Sequence, residues 1–94
     1  MRVRWTAEAL QHLREAYDYT EMDKPSAGAR TGDLIEAAAH QLGLFPQMGR
    51  PSKRAKTREL AIPKTPFVLV YRVTNSAVEI LALYHGAQNW KERL

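Results

Sequence analysis

The sequence predicts an α+β fold: an antiparallel, twisted sheet covered on one face by a helical hairpin, in the order β-α-α-β-β-β. Three observations predict it. A short polar–apolar alternation opens the chain. Two long segments with helical spacing follow, joined by a brief turn. Three β-forming runs separated by turn residues fill the second half.

Arg2-Val3-Arg4-Trp5 alternates, which places Val3 and Trp5 on the core face of a first strand expected at the sheet edge. Thr6 can cap the helix that follows, and Glu8 sits in its first turn, where the helix dipole favours an anion. Leu10, Leu13 and Tyr17 recur at i, i+3, i+7, so residues 7 to about 21 read as an amphipathic helix. Asp23-Lys24-Pro25-Ser26 ends it and starts a second helix. Ala27, Leu34, Ile35, Ala38, Leu42 and Phe45 keep helical spacing there, and Phe45-Pro46 stops the run because the residue before proline is pushed out of the α region. The short connection predicts an antiparallel helix pair.

Residues 48–56 lack periodicity and carry Gly49, Pro51 and Ser52, as a loop does. Thr57 to Ile62 alternates, with Leu60 and Ile62 on one face. Pro63 to Pro66 is a turn. Phe67 to Val73 is β-forming and almost wholly apolar, as a central strand should be. Val78 to Tyr84 is a further strand. A two-residue turn at Asn75-Ser76 would set Arg72 opposite Glu79, Val70 opposite Leu81 and Val68 opposite Leu83.

The chain of 94 residues is expected to be one domain, residues 1–94. With 45% hydrophobic and 26% charged residues it is neither a disordered nor a low-complexity chain. It has no cysteine, so thiolate chemistry and disulfides are excluded. No apolar run approaches the roughly 18 residues of a membrane span. With no signal peptide apparent, a cytoplasmic protein is expected. The formal charge is +4, unevenly placed. Residues 50–72 hold seven Lys/Arg against Glu59 alone, a net of six positive charges, while residues 1–49 are net negative. Such a focus fits an anionic partner, either nucleic acid or an acidic protein segment, or else a solvated basic loop.

Few residues could carry chemistry. Arg72 has two readings: a cross-strand ion pair with Glu79 worth about 0.2–1 kcal/mol, or a phosphate-binding arginine on the uncovered sheet face. His85 ends the last strand and could be a general acid or base, or merely a strand terminator. Lys53, Arg54 and Lys56 are close enough in sequence to perturb one another. His12 and His40 occupy polar helix positions and read as surface residues. Histidine spacing gives no metal site, and no cofactor motif is present. Basic residues beside a sheet suit RNA phosphodiester cleavage or the grip of an acidic protein equally well.

Several short motifs occur in a telling order: Val3-x-Trp5-Thr6 with Ala9-Leu10; Phe45-Pro46-x-Met48-Gly49-Arg50; Arg58-Glu59-Leu60-x-Ile62; Val70-Tyr71-Arg72-Val73; and Val78-Glu79-Ile80-Leu81 leading to His85-Gly86-Ala87-Gln88-Asn89-Trp90. In these the chain resembles the RelE/ParE superfamily of bacterial toxins from type II toxin–antitoxin modules, over nearly its whole length. The resemblance implies a toxin held inactive by a wrapping antitoxin with an acidic, helix-forming segment, operator DNA being reached only through that antitoxin. It implies one of two targets: ribosome-bound mRNA, cleaved by an mRNA interferase, or DNA gyrase, poisoned without nuclease activity. The first is the expectation here, and the second the alternative. For the RNA-cleaving branch the matching positions are Arg72, Arg58 and His85 as catalytic residues, with Lys53, Arg54 and Lys56 on the nucleic acid. Relatives often carry arginines just after the strand-ending histidine, where Ala87 and Gln88 stand here. For the gyrase branch, residues 90–94 are the expected contact. An antitoxin helix would dock on Leu10, Leu13 and Tyr17.

Overall fold

The computed structural model describes residues 1–24 and 27–86. Their elements are β1 (Arg2–Trp5), α1 (Ala7–Asp23), α2 (Ala27–Leu44), β2 (Arg50–Pro51), β3 (Arg58–Ala61), β4 (Phe67–Val73) and β5 (Ala77–His85). They form one sheet in the order β1-β5-β4-β3-β2, with both helices on the same face. Pro25 and Ser26, between the helices, and residues 87–94, which include Ala87 and Gln88 and the expected gyrase contact, lie outside the described residues.

Two features depart from the expected architecture. The basic loop opens with a strand of its own, β2, pairing Arg50 with Glu59 and Pro51 with Arg58. A two-residue strand is too short to leave a period in the sequence. The first strand does take the sheet edge, but it runs parallel to β5, Arg2 lying opposite Ala77 and Trp5 opposite Ile80. The sheet is therefore mixed. The long connection between β1 and β5, helices included, lets the two strands run the same way, which a tight hairpin cannot.

The helix hairpin packs through small side chains. Thr6 caps α1, its hydroxyl accepting the Ala9 N–H at 3.2 Å. The fully buried residues of α1 are Ala9 and Ala16, with Leu13 partly buried, whereas Leu10 and Tyr17 are 51% and 43% exposed. Of the stripe read from the sequence, Leu10 and Tyr17 are thus turned outward and only Leu13 packs on the core, because alanines let the helix lie close against β5. In α2 the predicted face holds, with Ile35, Ala38 and Leu42 buried, but Phe45 lies beyond the helix end and is 59% exposed. Gly28 makes the hairpin close: a Cβ there would stand 3.1 Å from the Tyr17 carbonyl oxygen and 2.6 Å from Glu21 Oε2. The Gly28 N–H, in the first turn of α2, donates to Glu21 Oε2 at 3.0 Å.

Beyond Trp5, β1 no longer covers β5, and α1 takes its place along that edge. The Thr6 hydroxyl donates to Ile80 O at 3.0 Å, and His12 Nδ1 accepts the Leu83 N–H at 3.3 Å. His12 is therefore half-buried rather than a surface residue, and its ring lies 5.1 Å from that of Tyr84. It satisfies a strand-edge donor that would otherwise face the helix unpaired. His40 is exposed, as expected.

The β4–β5 hairpin closes at Asn75-Ser76, with the Thr74 N–H donating to Ala77 O at 2.8 Å. Arg72 lies opposite Glu79 as predicted, but Val70 faces Ala82 and Val68 faces Tyr84. A bulge at Leu81 adds one residue to β5 and shifts everything beyond it. Its effect is to place Phe67, Leu69, Tyr71, Ile80 and Leu83 together under the helices. Val70, Ala82 and Tyr84 form a second buried cluster on the other face.

Candidate functional site

At one end of the sheet, on the face away from the helices, a groove of about 530 Å³ is lined by Thr6, Ala7 and Glu8 at the start of α1, by residues Arg54 to Thr57, by Arg72 and by Leu81. Three of the predicted site residues meet here: Arg54, Lys56 and Arg72. The loop that supplies the first two is closed on itself. The Ser52 N–H donates to Thr57 O at 2.9 Å, and the Thr57 hydroxyl to Arg54 O at 2.8 Å. Lys56 is held at φ 63°, a left-handed conformation unfavourable for a side-chain-bearing residue. Lys53 is exposed and does not line the groove.

Arg72 is half-exposed, and its Nε donates to Glu79 Oε1 at 2.7 Å. Arg4, from β1, approaches the other oxygen at 3.5 Å. Glu79 thus joins three strands. The Arg72 hydrogen bond, helped by the charges of Arg72 and Arg4, holds its carboxyl below the usual value against a smaller opposing effect of burial. The ion pair expected from the register exists. Arg72 lines the groove while making it.

Arg58 does not line this groove; it shares a cavity of about 340 Å³ with Lys56 and Thr57 instead. It lies opposite Tyr71, so it projects from the helix-side face, while Arg72, next in the strand to Tyr71, projects from the other. Its Nη1 donates to Gly49 O at 2.6 Å and to Gln47 O at 3.3 Å. Tyr71, fully buried, works on the same loop: its hydroxyl accepts the Gly49 N–H at 2.9 Å and donates to Pro46 O at 2.8 Å. Burial pushes the phenol above its ordinary pKa, while the Gly49 N–H and the Arg58 charge pull it down. Only glycine fits at 49, since a Cβ would stand 2.7 Å from the Tyr71 ring and 2.8 Å from Glu59 O. Arg58 and Tyr71 together fasten the chain that leaves α2 to the sheet.

His85 is also elsewhere. It lies opposite Phe67, on the helix side, and its ring meets those of Phe67 and Tyr19 edge-on at 5.9 and 6.5 Å. With His12, Glu15, Ala16, Tyr19, Phe67 and Leu83 it lines a separate cavity of about 360 Å³. Five residues of strand lie between it and Glu79, roughly 20 Å along β5. The three residues expected to be catalytic therefore occupy three places on two faces. Glu8, a carboxylate that lines the same groove as the three cations, was legible in the sequence only as a helix-start residue. Its place in the groove depends on the β1–β5 pairing. Among the described residues no group of three His, Asp or Glu side chains is arranged to hold a metal ion.

The chain and its fold have counterparts among known proteins. A family model described as the ParE toxin of the type II toxin–antitoxin system parDE matches residues 3–90. The chain belongs to the ParE toxin family. Y4kP of Sinorhizobium fredii, a chain named for a toxin role, is 40% identical over 93 residues, covering 99% of this chain and 96% of that one. Toxin RelE2 of Caulobacter vibrioides is 33% identical over 84 residues, covering 89% and 93%. Toxin RelE1 of the same organism is 39% identical over 66 residues, covering 68% and 70%. Among solved structures, a chain of the chromosomal ParDE system of P. aeruginosa superposes with a TM-score of 0.82 at 26% identity, over 90% of this chain and 95% of that one. A chain of the RelBE2 toxin–antitoxin complex of Mycobacterium tuberculosis gives 0.62 at 25% identity, over 89% and 95%. This ParE family member is thus a toxin of a type II toxin–antitoxin system, in the ParE/RelE group, and its likeness to chains from such systems supports an antitoxin as partner. No helix among its described residues is long and apolar enough to cross a membrane.

Proposed function

We propose that this toxin acts on DNA gyrase by protein–protein contact rather than by cutting mRNA. One observation carries the reading: Arg72, Arg58 and His85 do not converge. Cleavage of a phosphodiester needs a base, an acid and a cation within reach of one phosphate. His85 stands at the far end of β5 on the other face, and Arg58 is occupied by two backbone carbonyls. The match to the ParE model over residues 3–90 points the same way. The exposed Leu10 and Tyr17 would seat the antitoxin helix, with Leu13 beneath them as packing.

A second reading keeps mRNA as the target, favoured by the convergence of Arg54, Lys56 and Arg72 beside Glu8. In that reading Glu8 replaces His85 as the base. Induced expression of the chain in cells carrying a DNA-damage reporter, with RNA 5′ ends mapped genome-wide, separates the two. Reporter activation without new RNA ends is expected. New ends within translated codons and a silent reporter would overturn the gyrase reading, and Glu8→Gln should then abolish them.

A further inference from the structure

Phe45-Pro46-Gln47-Met48 forms a turn with proline at its second position, where the ring presets the backbone. The Met48 N–H donates to Phe45 O at 3.1 Å and closes it. The first and last residues of such a turn lie within about 7 Å of each other at Cα. Both are apolar and both are exposed, Phe45 by 59% and Met48 by 48%, and Leu44 just before them is 59% exposed. Single exposed apolar side chains need no explanation, but three within five residues form a patch.

The chain beneath that patch is fastened. Every residue from Phe45 to Gly49 is bonded through its backbone. The Phe45 N–H donates to Gln41 O at 2.8 Å. The buried Tyr71 hydroxyl holds Pro46 and Gly49, and Arg58 holds Gln47 and Gly49. Tyr71 lies on β4 and Arg58 on β3, so the turn is tied to the sheet and not only to the helix it leaves. The interior gains little from this, since Gly49 is the one residue of the segment that is buried. What the fastening does is hold exposed apolar groups in a fixed place, which lowers the entropy lost when a partner docks on them.

We propose that Phe45 and Met48 are the anchors of the contact with DNA gyrase, and that they seat in an apolar recess flanked by carboxylates. The inference rests on the gyrase reading above and adds the surface that makes the contact. Aromatic residues and methionine are enriched at the centres of protein interfaces. Cations flank the turn: the Arg50 side chain, just past Gly49, is 81% exposed, and Gln47 shares its cavity with Lys56 and Arg58. A complementary surface is therefore apolar opposite the turn and acidic beside it. A second copy meeting through the same turn would set these cations against their own counterparts, which is unfavourable. A wrapping antitoxin that orders as it binds adjusts to the surface it meets. A folded enzyme changes little at its interface, so the anchors it receives must be held in advance. The fastening of the turn selects the enzyme.

The test measures the affinity of the purified toxin for intact DNA gyrase and for the cognate antitoxin, together with its self-association. Phe45→Ala combined with Met48→Ala removes both anchors at exposed positions. The double variant should bind gyrase at least tenfold more weakly, with antitoxin affinity within twofold of wild type and an unchanged circular dichroism spectrum. Arg50→Gln should weaken gyrase binding several-fold at low salt, the gap closing as salt rises. Tyr71→Phe releases the turn without altering its side chains, and should also weaken gyrase binding several-fold while antitoxin binding is retained. A double variant that binds gyrase like wild type overturns the proposal and leaves the gyrase reading standing. If it loses as much affinity for the antitoxin, the turn serves the antitoxin. If wild type self-associates and the double variant does not, the turn serves a second copy. The proposal fails in either case. Wild-type toxin that does not bind gyrase refutes the target reading itself, and this contact with it, before any variant is measured.

Discussion

Glu79 shows how one side chain can serve several strands. Its carboxylate sits between Arg72 on β4 and Arg4 on β1, and its folded-state pKa lies below the ordinary value of about 4.5. A depressed carboxyl contributes stability that is fully present above its unfolded pKa and disappears as pH falls through the folded one. Wild type should therefore lose stability on acidification below about pH 4.5, and Glu79→Gln should lose less over the same window. Chemical denaturation of both proteins at neutral and acid pH checks this, and parallel curves would exclude the linkage. Arg72→Ala, at a half-exposed pair, should cost no more than about 1 kcal/mol. Tyr71→Phe should cost more, about 1–3 kcal/mol in the same measurement. It leaves the Gly49 N–H and the Pro46 carbonyl without the hydroxyl that bonds both.

At the scale of the element, α1 has two apolar faces with different duties. Ala9 and Ala16 are buried against the sheet, and their size sets the helix–sheet distance. Ala16→Leu should overpack that contact and destabilise by about 1–3 kcal/mol. Leu10 and Tyr17 point outward. Replacing both with alanine should shift the melting temperature little, yet weaken antitoxin binding measurably by calorimetry. If the double variant instead unfolds while binding is retained, the outward face is structural. The loop from Ser52 to Thr57 is likewise an element with a purpose beyond connection. Its internal hydrogen bonds hold Lys56 in the left-handed region and aim it into the groove with Arg54.

For the whole molecule, what matters is where the sheet puts its charged and titratable groups. The cationic groove reaches β5 at Leu81, in the middle of the strand, whereas His85 ends the strand on the helix side. If the toxin works by contact, His85→Ala and Arg72→Ala should each leave growth inhibition within a few-fold of wild type, and the DNA-damage reporter should respond to both. Abolition of toxicity by either variant, with the fold intact by circular dichroism, would show that the groups act together despite their separation. The focus of charge in residues 50–72 also predicts that association with any acidic partner slows as salt rises.

The order of elements apart from β2, the turn at Asn75-Ser76, the Arg72–Glu79 pairing and the toxin superfamily were legible in the chain itself. Each depends on residues near one another in sequence, or on motifs in a fixed order. The direction of β1, the bulge at Leu81, the inward alanines of α1 and the half-buried His12 were not. Each is decided by which distant segment lies alongside, and hydrophobic period alone does not encode that. The candidate site divides in the same way. Lys53, Arg54 and Lys56 could be named from a local charge run. That Arg54 and Lys56 meet Arg72 and Glu8, while Arg58 and His85 stand elsewhere, follows from strand alternation and the parallel β1–β5 pairing. A side chain's face is set by register, and register is a property of the assembled sheet.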